Sequence, residues 1–360
     1  MSHNITFYPL GNAETILLEL SNDKKMLIDF ADTYSGERDD KRIELKKALG
    51  SDNSFDVVMF SHAHEDHVKG AKDFFYFEHA LKYQEATRKK IEELWVSSAF
   101  MLDVGICEDA RVIRQEAKYR LKKGKGIKIF AEPDSLNQWL EENGLTTKEV
   151  QHLIIHAGTL LDNSMHDLGE DIQFFVHAPF SEDSEDVEDR NDYSIVMQIR
   201  ILDPFRNTNL FITGDVPYWV LDKIIARSIK KKNSEYLKWD LYDIPHHCSH
   251  TGLAEERGDT ITQTSEEIEC LLSFYGEANG FMVASCRTFD DVGVDDPQPP
   301  HIEAKRAYIK HGGSDKQFLT TMEYKNKYNP KPIKLEINDR GIREVRDSVN
   351  ILTSSPPRAG

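Results

Sequence analysis

Ser61-His62-Ala63-His64-Glu65-Asp66-His67 constrains this chain more than any other stretch, because four strong metal donors follow directly on the apolar run Phe55-Asp56-Val57-Val58-Met59-Phe60. The apolar run reads as a strand, and the polar stretch as the loop that the strand delivers. Alternation puts His62 and His64 on the same side of an extended segment, where they can grip one cation. Asp66 and His67, in the turn that follows, can reach a second. The H-x-H-x-D-H spacing, not the number of histidines, predicts a binuclear metal centre.

Other strand ends carry matching chemistry. Ile16–Leu20, the turn Ser21-Asn22-Asp23 and Met26–Phe30 read as a β-hairpin that ends on Asp29. Asn209-Leu210-Phe211-Ile212 is a short strand closing on Thr213-Gly214-Asp215, and Trp239–Ile244 is another, closing on Pro245-His246-His247-Cys248-Ser249-His250.

Taken in this order, the motifs resemble the signature of the metallo-β-lactamase superfamily. The resemblance implies an α/β fold, a four-layer αββα sandwich forming a single domain over 1–345. It also implies metal ligands His62, His64, Asp66 and His67, a bridging Asp215, and a last histidine from His246 or His247, with His246 preferred. Asp29 stands where the family keeps a buried Asp that supports the metal loop by holding a histidine tautomer.

Tyr8-Pro9-Leu10-Gly11-Asn12-Ala13-Glu14-Thr15, Asn191-Asp192-Tyr193-Ser194 and Pro299-Pro300-His301 are similar to motifs of the branch typified by the hydrolase domain of the DNA-uptake competence protein. Gly-Asn-Ala-Glu-Thr departs from that branch's Gly-Gln-Gly-Asp-Ser, and Cys248 replaces the glycine of its His-His-Gly-Ser. The branch has Asn-Asp-x-Ser where many relatives place a third histidine on the first metal. Asn191, or a water it holds, with Ser194 beside it, is therefore expected to complete that site and leave an open position. His177 is read as a hydrogen-bonded histidine and Cys248 as a small buried residue, not as ligands. His301 is a candidate for contacting a scissile phosphate or protonating a leaving oxygen.

The resemblance thus implies two divalent ions, Zn2+ first and Mn2+ second, and a metal-dependent hydrolase of phosphodiester bonds, a nuclease first, in which Asp66 and Asp215 orient the attacking water. Alternatives are a small-molecule ester, lactone or phosphocholine-ester hydrolase, and, from another class, a partner-activated effector subunit of a bacterial defence system. Expected partners are nucleic acid or a small phosphodiester, and a protein docking on a helical insertion.

Composition bounds these readings. A net charge of −17 argues against indiscriminate binding of nucleic acid, which relies on cations exchanging for phosphate counterions. Basic clusters at Lys118–Lys128 and Arg227–Lys232 are the candidates for guiding a polyanion locally, while the acidic Ser181–Asp192 is expected to form a flexible loop at the cleft rim. Cysteines at 107, 248, 270 and 286 lack C-x-x-C spacing and fit reduced thiols. With no signal peptide and no membrane-length apolar run, the expectation is a soluble cytoplasmic enzyme without membrane contact.

Residues 98–165 are read as a helical insertion beside the cleft. Ile106, Ala110, Ile113, Ala117 and Leu121 recur at helical spacing up to Gly124. Pro133-Asp134-Ser135 opens a second helix closed by Gly144, and Thr146 with Glu149 makes a capping box. Val68–Phe77 is expected to be helical and Ile91–Ser97 a strand. Phe281–Ser285 and Ile333–Asn338 should be strands, Ile302–Lys310 a helix, and 346–360 a disordered tail.

Overall fold

The computed structural model of the protein describes residues 2–50, 52–184, 189–291, 296–314 and 316–345. The expected tail at 346–360 and the middle of the acidic loop, 185–188, lie outside the described residues.

Strands β1 (His3–Phe7), β2 (Ile16–Glu19), β3 (Lys25–Ile28), β4 (Ser54–Met59), β5 (Lys90–Ser97), β6 (Ile127–Phe130) and β7 (Ile154–Ile155) run through the first part of the chain. They are followed by β8 (Leu160–Leu161), β9 (Ile172–Ala178), β10 (Val196–Ile201), β11 (Thr208–Ile212), β12 (Trp239–Asp243) and β13 (Gly276–Ala284). The last are β14 (Gln317–Thr320), β15 (Ile333–Asn338) and β16 (Gly341–Glu344). They form two sheets, ordered β16-β15-β1-β2-β3-β4-β5-β6-β7 and β14-β13-β12-β11-β10-β9-β8. From β3 to β7 the first sheet is parallel, as is the second from β11 to β14, so the C-terminal ends of β3, β4 and β5 lie together.

Period-two alternation sorts the side chains into layers. On β4, Val57 and Met59 face the second sheet, whereas Val58, and Phe60 just past the strand, face outward. The outward face is covered by the helices Glu108–Lys123 and Asp134–Glu142 through Ala110, Ile113, Ala117, Leu121, Leu136 and Leu140. On the far side, Phe211, Tyr242 and Met282 meet the helices Tyr218–Lys230, Glu266–Ser273 and Ile302–Gly312. The result is a four-layer αββα sandwich.

The 98–165 stretch is not helical throughout. It carries helices, including the predicted pair and the Thr146 capping box, but β6 and β7 extend the first sheet and β8 borders the second. Its main helix is an outer layer of the sandwich, because Ile127–Phe130 and Ile154–Ile155 are apolar enough to be buried in a sheet. The helix expected over Val68–Phe77 is broken in two, Glu65–Val68 and Ala71–Phe74, at Gly70, whose φ is 79°.

Helix direction relocates both basic clusters. A helix linking parallel neighbours β5 and β6 must run back along them, and Glu108–Lys123 does so. Arg120 donates to the carbonyls of Ile91 at 2.9 Å and Gly126 at 2.9 Å, which places the helix C-terminus at the start of β5. Lys122, Lys123 and Lys125 therefore sit at the end of the sheet remote from Ser97, with Lys123 about 22 Å along the helix from Glu108 at 1.5 Å per residue. Tyr218–Lys230 likewise leaves the Asp215 end and finishes at Lys231. Among the described residues no helix is long and apolar enough to cross a membrane.

Trp95 fastens the sheets together. It is fully buried, its ring centroid lies 5.1 Å from that of Phe174 on β9 and 5.6 Å from that of Phe130, and its indole N–H donates to Glu93 at 2.6 Å. Trp95→Ala should therefore lower unfolding stability by about 3–5 kcal/mol. A loss under about 1 kcal/mol in urea titrations would show that the sheets are held elsewhere.

Candidate metal centre

Every metal-type side chain predicted from H-x-H-x-D-H lies where a strand of the first sheet ends. β4 stops at Met59, and the chain then passes under Asp29, at the end of β3, with φ 54°. The Asp29 carboxylate accepts from the Ser61 N–H at 2.7 Å, the Ser61 O–H at 2.6 Å and His67 Nδ1 at 2.7 Å. Asp29 thus braces the loop after β4 through Ser61 and His67. Because Ser61 O–H is spent on Asp29, its oxygen is the acceptor for His62 Nδ1 at 3.0 Å. His247 Nδ1 donates to the Ser285 carbonyl at 2.8 Å. With Nδ1 protonated, His62, His67 and His247 each turn an Nε2 lone pair inward. His64 differs, presenting Nδ1, which lies 3.1 Å from His62 Nε2.

Two donor sets result, and they share one residue. His62, His64 and Asp215 converge within 4.8 Å, as do Asp66, His67, Asp215 and His247. Asp215 Oδ1 is 3.2 Å from His67 Nε2, and Asp215 Oδ2 is 3.8 Å from His62 Nε2 and 3.5 Å from His247 Nε2. His247 Nε2 is 3.2 Å from Asp66 Oδ2. Ligands at about 2.0–2.1 Å on a tetrahedral ion stand roughly 3.3 Å apart, so these spacings fit bound ions. His67 Nε2 is buried and faces Asp215 Oδ1 without a well-aligned hydrogen bond, a placement that suits a metal-binding nitrogen.

The electrostatics point the same way. Burial favours the uncharged forms, yet Asp215 and Asp29 hold the His67 imidazole well above its usual range, and Asp215 and Asp66 raise His247 to about 9. Burial also opposes ionisation of Asp215, but His67 and His247 keep its carboxyl well below the ordinary range. The carboxylates thus gather positive charge around themselves, and protons on the two histidines supply it in the ion-free chain.

The turn after β12 selects the last histidine. His246, His247 and Cys248 take φ of 50°, 54° and 63°, a left-handed run that turns His247 into the cluster. His246 is absent from both donor sets, with its Nδ1 on Thr251 Oγ1 at 2.8 Å, so the structure brings His247 and not the preferred His246 into them. At Cys248 the backbone adopts a conformation that a glycine takes without strain. Its thiol is buried, pushed up by desolvation and absent from both donor sets. Gly214 also has a positive φ, 55°, and a Cβ there would lie 3.1 Å from Ser61 Cβ and 3.4 Å from Ser194 Cβ, so glycine lets the Asp215 turn press against the metal loop.

Other predicted residues lie outside the donor sets. Asn191 and Ser194 are buried on the flank of the metal loop, where Ile195 N–H donates to the Ser61 carbonyl at 3.1 Å; Asn191 Oδ1 and Ser194 Oγ have no hydrogen-bond partner. His177 is buried, with Nε2 on the Tyr236 carbonyl at 3.0 Å and its pKa pushed down to about 4 by burial. His301 caps the helix Ile302–Gly312, and its Nδ1 accepts from the His250 N–H at 3.0 Å. Burial, Arg257 and His250 lower His301 to about 4, which makes it a poor proton donor at neutral pH.

Two residues that sequence reasoning left out complete the surroundings. Glu14 converges with Asp29 and His67 within 4.8 Å, and its backbone N–H donates to the Asp66 carbonyl at 3.2 Å. Burial pushes Glu14 up to about 7 and Asp243, beside it, well above the carboxylate range. Asp243 also accepts from the Thr213 N–H at 3.3 Å, bracing the Thr-Gly-Asp turn. Both sit in motifs legible in the sequence, Gly-Asn-Ala-Glu-Thr and the strand end before Pro-His-His.

No family model matches the chain, and no curated protein matches it. Solved structures similar to parts of it include the class B3 di-zinc metallo-β-lactamase LRA-12 from an Alaskan soil metagenome, at 12% identity and a TM-score of 0.27 over 66% of this chain and 76% of that one. Metallo-β-lactamase SMB-1 bound to 2-mercaptoethanesulfonate is 13% identical, with a TM-score of 0.29 over 67% and 79% of the two chains. The metallo-β-lactamase GOB-18 from Elizabethkingia meningoseptica is 10% identical, with a TM-score of 0.27 over 68% and 77%.

Native mass spectrometry after zinc reconstitution should find two ions per chain in the wild type and in His246→Ala, and one in His247→Ala. Because His67 and His247 hold protons at pH 7, zinc uptake should release protons and tighten as pH rises towards about 9. Calorimetry in buffers of different ionisation enthalpy measures that release. Loss of an ion from His246→Ala but not from His247→Ala would reverse the assignment.

Proposed function

We propose that this chain is a metal-dependent hydrolase whose two-ion centre cleaves phosphodiester bonds. The observation that carries the reading is the meeting of two donor sets on Asp215. Two divalent cations, zinc first and manganese second, would supply Lewis acidity to a reacting ester and acidify water enough for it to attack near neutral pH.

The chain's own residues do the rest. Asp215 faces both sets, with Oδ1 towards His67 of the second and Oδ2 between His62 of the first and His247 of the second. The first set has three protein donors and the second has four, so the first leaves room for a substrate oxygen beside His62 and His64. Asp66, less buried than its partners, reaches the second set from the mouth, where it can orient a water.

The placement of the basic clusters favours a compact substrate, either a small phosphodiester or a nucleic-acid end entering the cleft. Lys118 and Lys122 stand over Trp139, and Lys123 pairs with Glu78, all remote from the metals. A grip on long nucleic acid would need cations around the cleft itself. The same observation favours a second reading, a small ester or lactone hydrolase, since a carbonyl substrate needs no polyanion track.

Turnover of bis-para-nitrophenyl phosphate, DNA, RNA and lactones with zinc or manganese tests these readings. Asp215→Ala should lower kcat/KM on the true substrate at least about a hundredfold, about 2.7 kcal/mol in barrier. Replacing Lys122, Lys123 and Lys125 by Glu should leave every rate within about twofold. Retention of more than about a tenth of the rate by Asp215→Ala would remove its shared role. Loss of DNA cleavage alone in the lysine variant would restore a polynucleotide track.

A further inference from the structure

The two sheets part at the end of the sandwich remote from the metals and leave a cavity of about 810 Å³, within the range of small-ligand sites. The hairpin turn between β2 and β3, the start of β9 and the turn between β10 and β11 border it, with Ser21, Asn22, Glu170, Asp171, Asp203 and Arg206 at its wall. Ile201 and Ile337, which belong to the inter-sheet core, form its apolar floor, with Leu202 and Pro204 beside them.

Two side chains here break the pattern of the core. On β1, Ile5 and Phe7 face the inter-sheet space, and alternation puts His3 on the same face; on β11, Leu210 and Ile212 do so, and alternation adds Thr208. Both positions call for apolar residues, yet they hold polar ones that are 5% and 1% exposed. Thr208 Oγ1 has no hydrogen-bond partner. His3 Nδ1 accepts from the Ser21 N–H at 3.3 Å, which leaves the Nε2 proton directed at Asp171 Oδ2, 4.0 Å away and too distant for a direct bond. A buried hydroxyl without a partner is destabilising, and a ligand's polar atom would satisfy it.

Charge decides the class of ligand. Glu170, Asp171 and Asp203 line the cavity, and among the described residues no lysine or arginine pairs with them. The one lining cation, Arg206, is engaged by Asp240 at 2.5 Å. An anion is therefore disfavoured. A compact metal ion fits no better, since these carboxylates do not converge into a donor set as the ligands around Asp215 do. An extended cation with an apolar body matches both the separated carboxylates and the aliphatic floor.

We propose that this cavity binds an aliphatic di- or polyamine, its ammonium groups on Asp171, Asp203 and Glu170, its methylenes on Ile201 and Ile337, and one N–H on Thr208 Oγ1. The site is independent of the hydrolase reading, since it lies at the opposite end of β11 from Asp215.

Spermidine titrated into the metal-loaded protein by calorimetry at about 150 mM salt, where diffuse surface attraction is screened, is the test. The expected result is saturable binding of one spermidine per chain, weakened at least about tenfold by Asp171→Asn combined with Asp203→Asn and several-fold by Thr208→Val. Amide shifts should concentrate around His3 and Thr208. If the double variant does not fold, as judged by its circular dichroism melt, Glu170→Gln at the exposed rim replaces it with the same expected direction. Binding that survives the substitutions would assign spermidine to the general acidic surface and overturn the proposal. So would the absence of saturable binding, or displacement of spermidine by equimolar magnesium.

Discussion

The carboxylate of Asp29 is the interaction on which the metal centre depends. It is wholly buried, and it survives there because three donors meet it, the Ser61 N–H, the Ser61 O–H and His67 Nδ1–H. An isolated buried charge would cost several kcal/mol, so the loop after β4 has one low-energy path, the path that delivers all three donors. That path fixes the His67 ring directly and the His62 ring through Ser61. Two candidate donors are thereby oriented in advance, which would reduce the ordering that binding an ion must impose.

The second sheet contributes from the opposite side by the same means. β11 and β12 are parallel neighbours, so Asp215 and His247 emerge at one edge, and Asp243, held by Thr213, joins the two turns. Gly214 allows the Asp215 turn to approach Ser61 and Ser194 closely. The centre is a seam between the sheets, and Trp95 against Phe174 holds the sheets in register below it.

Much of this was legible because strand ends announce themselves. Periodicity located β3, β4, β11 and β12, and each was followed by donors whose chemistry needs a common focus. The choice between His246 and His247 was not legible, since it depends on three consecutive left-handed residues, and local spacing says nothing of such a run when none is glycine. Glu14 was visible as a motif but not as a neighbour of Asp29, because the two meet through tertiary packing. The placement of the basic clusters was not legible for a related reason: composition shows that lysines gather, whereas only the direction of a crossover helix shows at which end of the sheet they do so. Residues 98–165 read as helix because β6, β7 and β8 are too short to impose a period of two.

The central claim is that one carboxylate, Asp215, joins two ion sites. Anomalous scattering from crystals grown with zinc tests it most directly. The account predicts two peaks about 3.5–4 Å apart, one among His62 Nε2, His64 Nδ1 and Asp215, the other among Asp66, His67 Nε2, His247 Nε2 and Asp215. A single peak, or a pair of peaks that leaves Asp215 uncoordinated, would contradict it.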